Sequence, residues 1–168
     1  RFQTMLPCMY WSHADPDFIR YTWLDRGSDE RQYCATGVDL PIASIMRSKY
    51  GEYPEYHTSL DNLELVTPTG LQGGYDALRK AIEIIEKNVY LESTVLCEPQ
   101  LGNRGLYPTL STEESAKHVR AMMNMLSYCD GKNSLLDIAE LIDKQFLEVV
   151  SLADSLIEHD LLLKVERK

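Results

Sequence analysis

No apolar run in the 168 residues reaches the roughly 18 needed to span a bilayer, so a membrane-spanning helix is excluded. The first ten residues, RFQTMLPCMY, scatter their apolar side chains behind a basic start, which is not the pattern of a signal peptide. Positive charge is scarce: 17 Lys and Arg stand against 26 Asp and Glu, a formal charge of −9. That balance argues against nucleic acid as a partner, because phosphate contact rests on clustered Lys and Arg. Cysteine is sparse too. Cys8, Cys34, Cys97 and Cys129 lie far apart in the chain, which excludes a zinc ribbon, a thioredoxin-like pair and a disulfide scaffold. Free thiols in a reducing cytoplasm are the expectation. Disorder is excluded as well, with 44% of residues in the hydrophobic set.

What remains is a chain of two unlike halves. Residues 1–110 are rich in Tyr, Pro and Gly and alternate short apolar runs with turns. Leu40-Pro41-Ile42-Ala43-Ser44-Ile45-Met46 follows a Gly-Val-Asp turn and reads as a buried strand. A helix is expected from Pro68 to about Asn88: Thr67 can cap it, Pro68 suits its first position, and Tyr75, Leu78, Ile82 and Ile85 recur at spacings of three and four. Residues 94–97 read as a short strand, and the turn-rich Glu98–Pro108 stretch as a linker.

Residues 111–168 almost lack Gly and Pro and carry helical periodicity. Three helices are expected: one capped at Ser111-Thr112 and running to about Cys129, one from Leu135 to Asp143 capped by Ser134, and one from Phe146 to His159. Asp130-Gly131 reads as a turn, and Leu161 to Val165 as a closing strand. Three helices and a strand is the order of a winged helix-turn-helix with a shortened wing. The expected organisation is an α/β portion over 1–98, a linker over 99–110 and a winged-helix-like domain over 111–168. In such a domain the third helix enters the major groove and needs donors for bases and phosphates. Here Gln145 to Asp160 holds no Lys or Arg, and the 111–168 unit counts 7 basic against 11 acidic residues. A packing or protein-contact role for this unit is expected instead of DNA binding.

The chemistry-bearing residues lie in two segments, Asp25 to Tyr33 and Glu55 to Asn62. His57 is an imidazole in a loop just past the expected strand, and loops beyond strand ends are where α/β sheets place ligands. Asp61, four residues on, is a candidate acceptor for one ring nitrogen, leaving the other for a metal. Tyr56 is a phenol suited to donating to a developing oxyanion. The plain alternative is that His57 is a solvated or structural histidine, and that Asp29, Glu30 and Arg31 form a salt-bridged surface turn.

Taken in order, Gly27-Ser28-Asp29-x-x-x-Tyr33, then Gly37-Val38-Asp39-Leu40-Pro41-Ile42, then Tyr56-His57-Thr58-Ser59-x-Asp61-Asn62 resemble the last third of a co-catalytic zinc aminopeptidase domain. That family ends with a Ser-Asp-His-x-x-Phe segment, a Gly-Ile-Pro strand, a Tyr-His-Thr-x-x-Asp-Thr loop and a closing helix. More narrowly, Trp23 to Tyr33, Met46 to Asp61 and Leu96 to Asp137 resemble an aminopeptidase-like family whose members often accompany bacterial polysaccharide-biosynthesis genes and carry a C-terminal winged helix. The resemblance implies that His57 is the final zinc-ligating histidine and that Tyr56 assists the tetrahedral intermediate. It implies a second-shell place for Asp61 and a place in the site wall for Asp29. Glu30 stands where the family carries a histidine. Zinc is the implied cofactor, and a peptide or amide the implied substrate.

What the chain lacks bears on mechanism. A two-zinc peptidase needs about five ligands and a carboxylate base. In the resembling family most of these precede the matched segment, and only Ser12-His13-Ala14-Asp15 offers a His-x-Asp spacing here, which reads as coincidence. The chain also opens with Arg1, so it reads as a processed product or a piece of a longer polypeptide. A sheet without its central strands would bare an apolar edge and invite self-association. Residues 1–90 are therefore expected to be poorly stable alone, and 111–168 to fold independently. Three readings stand: part of a zinc aminopeptidase-like hydrolase, inactive by itself; a non-catalytic interaction module with an acidic winged helix; and a transcription factor.

Overall fold

The computed structural model describes residues 19–40, 42–106 and 112–166. The Ser12–Asp15 motif and Cys8 lie outside the described residues. The chain divides into two compact units, Arg1–Glu83 and Ile84–Lys168.

In the first unit Thr22 caps a 3-10 turn, Trp23–Asp25, with its hydroxyl, and Asp25 returns the bond to the Thr22 backbone. A single helical turn follows, α1 (Glu30–Tyr33). Irregular chain leads to a long helix, α2 (Pro68–Lys87). Its start is as expected: the Gly70 N–H donates to Thr67 Oγ1 at 3.1 Å and Pro68 occupies the first helical position. The expected strand at 40–46 is not formed. Residues 42–46 run as irregular chain, and Leu40 and Met46 are exposed. A strand persists only through a ladder with a neighbour, and the described residues of this unit hold no second strand to pair with it. None of the described residues of this unit is buried.

The second unit is a winged helix, and it holds the core. Its elements are β1 (Tyr90–Ser93), α3 (Glu113–Tyr128), β2 (Asp130–Ser134), α4 (Leu135–Leu141), α5 (Phe146–Glu158) and β3 (Leu162–Val165). The three strands form an antiparallel sheet in the order β2-β1-β3. Tyr90 pairs with both Ser134 and Val165, so β1 is the only strand that touches the other two. Leu91, Met125, Ile138, Val149, Leu156 and Leu161 are completely buried. Caps define the helices. Thr112 Oγ1 accepts from the Ser115 N–H, and the Asp137 carboxylate accepts from both the N–H and the hydroxyl of Ser134, at 2.8 and 2.7 Å. Left-handed backbone at Asp143 and Asp160 ends α4 and α5, letting Lys144 and Leu161 N–H groups reach back to Ala139 and Leu156 carbonyls.

Three boundaries differ from the sequence reading. The strand lies at 90–93 instead of 94–97, and it supplies the sheet position that a shortened wing leaves open. The expected turn at Asp130-Gly131 begins strand β2. The expected linker 99–110 contains the 3-10 turn Leu101–Arg104, whose Leu101 is 1% exposed, and Arg104 donates to the His159 carbonyl at 3.1 Å. The second unit therefore begins well before residue 111, and a 111–168 piece would lack the strand that joins β2 to β3.

Candidate functional site

The two segments singled out in the sequence meet within the first unit through Tyr50, a residue the sequence did not flag, which bonds to Glu30 and lies beside Tyr56. Glu30 opens α1, and its carboxylate gathers three donors. The Gly27 N–H and the Tyr50 hydroxyl donate to Oε1 at 3.0 and 2.8 Å, and the Ser44 hydroxyl donates to Oε2 at 3.1 Å. Burial disfavours the Glu30 anion, but backbone N–H donors with the Tyr50 and Ser44 hydroxyls outweigh it and hold the carboxyl below its ordinary value. Burial and the Glu30 charge raise the Tyr50 phenol, so it stays a donor. The result is a carboxylate–phenol latch between α1 and the loop that carries His57. Gly27 is needed for it: a Cβ there would land on the Tyr50 ring.

The loop that follows is built from rings at every third position: Tyr50, Tyr53 and Tyr56. Tyr53 and Tyr56 meet edge to face at 5.6 Å, Tyr50 and Tyr56 lie 6.4 Å apart, and Tyr56 and His57 tilt against each other at 4.2 Å. On the other side of Tyr50, Lys49 sits 4.9 Å over the Tyr21 ring and 5.3 Å from the Tyr50 ring, and the Tyr21 hydroxyl donates to Glu52 at 2.7 Å. His57 has left-handed backbone with φ +58, which costs about 1–2 kcal/mol in a non-glycine residue, and the residue is exposed.

The expected site residues fare differently. Tyr56 is half-buried beside an exposed His57, so the two come together. Asp61 does not pair with the imidazole: among the described residues no hydrogen bond joins them, and the Asp61 charge instead acts on Tyr53, whose phenol is raised first by burial and then by that carboxylate. The reason is local. Asp61 closes a turn through its N–H to the Thr58 carbonyl at 3.2 Å, while the His57 ring lies against Tyr56. Asp29 is exposed and makes no capping bond with its side chain. Neither it, Glu30 nor Arg31 forms an ion pair among the described residues; Glu30 is held by neutral donors instead. The structure-determining residues that sequence reasoning missed are Tyr50 and Ser44. The tyrosine spacing of three was the available signal.

Among the described residues no three His, Cys, Asp or Glu side chains gather into a group able to hold a metal ion. One exposed imidazole does not by itself fit zinc, which takes four ligands in structural sites and three protein ligands with water in catalytic ones. On α5, the third helix of the second unit, the exposed positions are Leu147, Glu148, Ser151, Asp154 and Glu158, three of them acidic. No helix among the described residues is long and apolar enough to cross a membrane.

Comparison with known proteins matches both parts of the chain. Residues 7–88 match a family model described as a domain of unknown function, DUF4910. Residues 88–164 match a winged helix-turn-helix family model, in agreement with the observed fold. A protein of Clostridium acetobutylicum, provisionally named a polysaccharide biosynthesis protein with an aminopeptidase-like domain, is 40% identical over 152 residues, which is 89% of this chain and 35% of that protein. A crystal structure from the same organism, of a protein provisionally named a peptidase, superposes with a TM-score of 0.81 at 35% identity. It covers 95% of this chain and 35% of that one. The chain thus spans about a third of the length of each relative.

Proposed function

We propose that this chain is the C-terminal part of an aminopeptidase-like hydrolase that cleaves a peptide or amide bond and depends on zinc. The reading is carried by the Tyr56–His57 pair on a loop latched by Tyr50 and Glu30, in a chain whose relatives are named for peptidase-like domains. In this reading His57 offers one imidazole to a metal whose other donors lie in the part of the relatives' length that this chain does not span. Zinc would supply an activated water and a polarised carbonyl. The residues of this chain have narrower work. In this reading the exposed His57 ring is free to reach a metal, Tyr56 stands beside it as a hydrogen-bond donor for a developing oxyanion, and the Glu30–Tyr50 latch fixes the loop. The measurement is zinc content of the longer polypeptide: about two ions per chain, with His57→Ala removing at least one. Unchanged metal content in the His57→Ala protein refutes the assignment.

A second reading has its own observation. The exposed face of α5 carries Glu148, Asp154 and Glu158 and no base, which suits a protein partner better than DNA and fits a non-catalytic module in polysaccharide biosynthesis. A stable protein complex formed through the winged helix, with no hydrolysis of peptide or amide substrates by the longer polypeptide, would favour it. Cytoplasmic location and self-association belong to both readings.

A further inference from the structure

The sheet of the winged helix has two edges, and only one of them is guarded. On the β2 side Tyr90 pairs with Ser134 and Glu92 with Asp130, so a short step along β1 matches a longer one along β2 and the ladder bulges. Asp130 Oδ1 also accepts from the N–H groups of Lys132 and Asn133, at 2.9 and 3.4 Å. A bulge and captured donors keep an edge from recruiting further strands. β3 has neither device. Its residues pair with β1 one for one, from Ser93–Leu162 to Tyr90–Val165, and among the described residues no strand lies on its other side.

The direction of the free groups follows from the ladder. The Thr94 N–H donates to the Leu161 carbonyl at 3.1 Å, which makes that opposed pair a hydrogen-bonded one. Such pairs alternate along an antiparallel ladder, so Leu163 and Val165 also turn their backbone groups to β1. Leu162, Lys164 and Glu166 turn theirs outward. Side chains alternate too: Leu162 is buried in the core, whereas Leu163, 44% exposed, and Val165 lie on the outer face beside Glu92 and Tyr90. Lys164 and Glu166 are exposed and form no ion pair among the described residues.

We propose that the outer edge of β3 pairs antiparallel with β3 of a second copy of this chain, about a two-fold axis at Val165. Both residues of a hydrogen-bonded pair must face the seam, which admits only registers that match outward-turned residues with each other. Centring on Lys164 would set that lysine against itself. Centring on Leu163 would set Leu162 against Lys164 and leave Glu166 without an opposite charge. Centring on Val165 sets Lys164 against Glu166 of the second copy, twice by symmetry, and opposite charges across strands attract where like charges repel. It also brings Leu163 of each copy diagonally beside Val165 of the other, so the apolar residues of the two outer faces meet. The alternation Lys164-Val165-Glu166 is its own complement when reversed, which selects a second copy as the occupant. The pairing is independent of either reading of function above.

The test is sedimentation equilibrium of the full chain at low ionic strength, where exposed charge pairs are least screened. A reversible monomer–dimer equilibrium is expected. Lys164→Glu and Glu166→Lys each replace two attractive pairs with two repulsive ones and should weaken the dimer at least about tenfold. The double variant Lys164→Glu/Glu166→Lys restores opposite charges and should recover it. An equimolar mixture of the two single variants should form a mixed dimer, because one then carries only acids across the seam and the other only bases. Cross-linking gives a second readout, in a Cys97→Ser background because Cys97 is exposed. Opposed Cα atoms of a non-hydrogen-bonded pair lie about 4.5 Å apart, within disulfide reach, so Val165→Cys should cross-link on mild oxidation and Leu163→Cys should not. Far-UV ellipticity verifies that each variant keeps its fold. A chain that stays monomeric, single variants that associate as the unaltered chain does, or Leu163→Cys cross-linking as readily as Val165→Cys would each overturn the proposal.

Discussion

The central strand of the winged helix permits a quantitative prediction. Leu91 is completely buried in β1, between β2 and β3. Replacing it with alanine removes its transfer free energy and leaves a cavity that three packed helices and two strands cannot fully close. Together these cost about 2.7–5 kcal/mol. A unit of this size holds roughly 4–13 kcal/mol in total at 0.05–0.15 kcal/mol per residue. In urea, with a slope of about 1–1.5 kcal/mol/M, the Leu91→Ala midpoint should fall by about 2–5 M. Far-UV ellipticity of the full chain follows α3 to α5, which carry most of the unit's helix. Leu163→Ala, at the half-exposed end of β3, should cost no more than about 0.5 kcal/mol. A second arm removes the strand: a 111–168 fragment keeps β2 and β3 but not the strand between them, and should show no cooperative transition. A Leu91→Ala shift below about 1 kcal/mol, or a cooperative 111–168 fragment, would refute the assignment of β1 to this unit.

Other perturbations address the latch and the thiols. Gly27→Ala should displace the Tyr50 ring, and Tyr50→Phe should remove the same hydrogen bond; the two effects on amide exchange in the loop should therefore not add, and additive effects would show that the latch is not the shared cause. Glu30 has a lowered value when folded, so the stability it contributes is complete above its unfolded value of about 4.3 and lost as pH falls through the lower folded one. Tyr50 ring resonances followed through an acid titration should therefore move only below pH ~4.3, and an inflection at or above that value would sink the argument. Burial pushes the Cys129 thiol up to about 12, while Cys97 is exposed. Alkylation followed by peptide mass mapping should label Cys97 in the native protein and Cys129 only after unfolding; early labelling of Cys129 contradicts its burial.

The helices were legible because their signals are local. Thr67-Pro68, Thr112 and Ser134 mark starts that the hydrogen bonds reproduce, and the apolar spacing of α5 gives Val149, Val150, Ala153 and Leu156 as buried. The strands were less legible. Asp-Gly-Lys-Asn-Ser has poor intrinsic preference for a strand, and β2 exists because β1 lies alongside it. The apolar run at 40–46 fails for the converse reason: favourable residues without a neighbouring strand stay irregular. At the candidate site, spacing pointed to Tyr56 and His57 but paired His57 with Asp61, because the ring contact with the adjacent Tyr56 cannot be read from residue types. The bond from Tyr50 to Glu30 joins residues twenty positions apart, and sequence carries no local trace of it.

The placement of β1 sets an order of events during synthesis. It leaves the ribosome ahead of every helix in the winged helix, yet its far edge stays unpaired until Leu162–Val165 has been made. Through that interval the nascent chain carries an open ladder next to Leu91, a side chain completely buried in the finished fold. Closure of the sheet therefore depends on a long loop and on the last strand to emerge, which slows folding relative to a purely local bundle and leaves β1 the segment most exposed to capture by a neighbouring nascent chain.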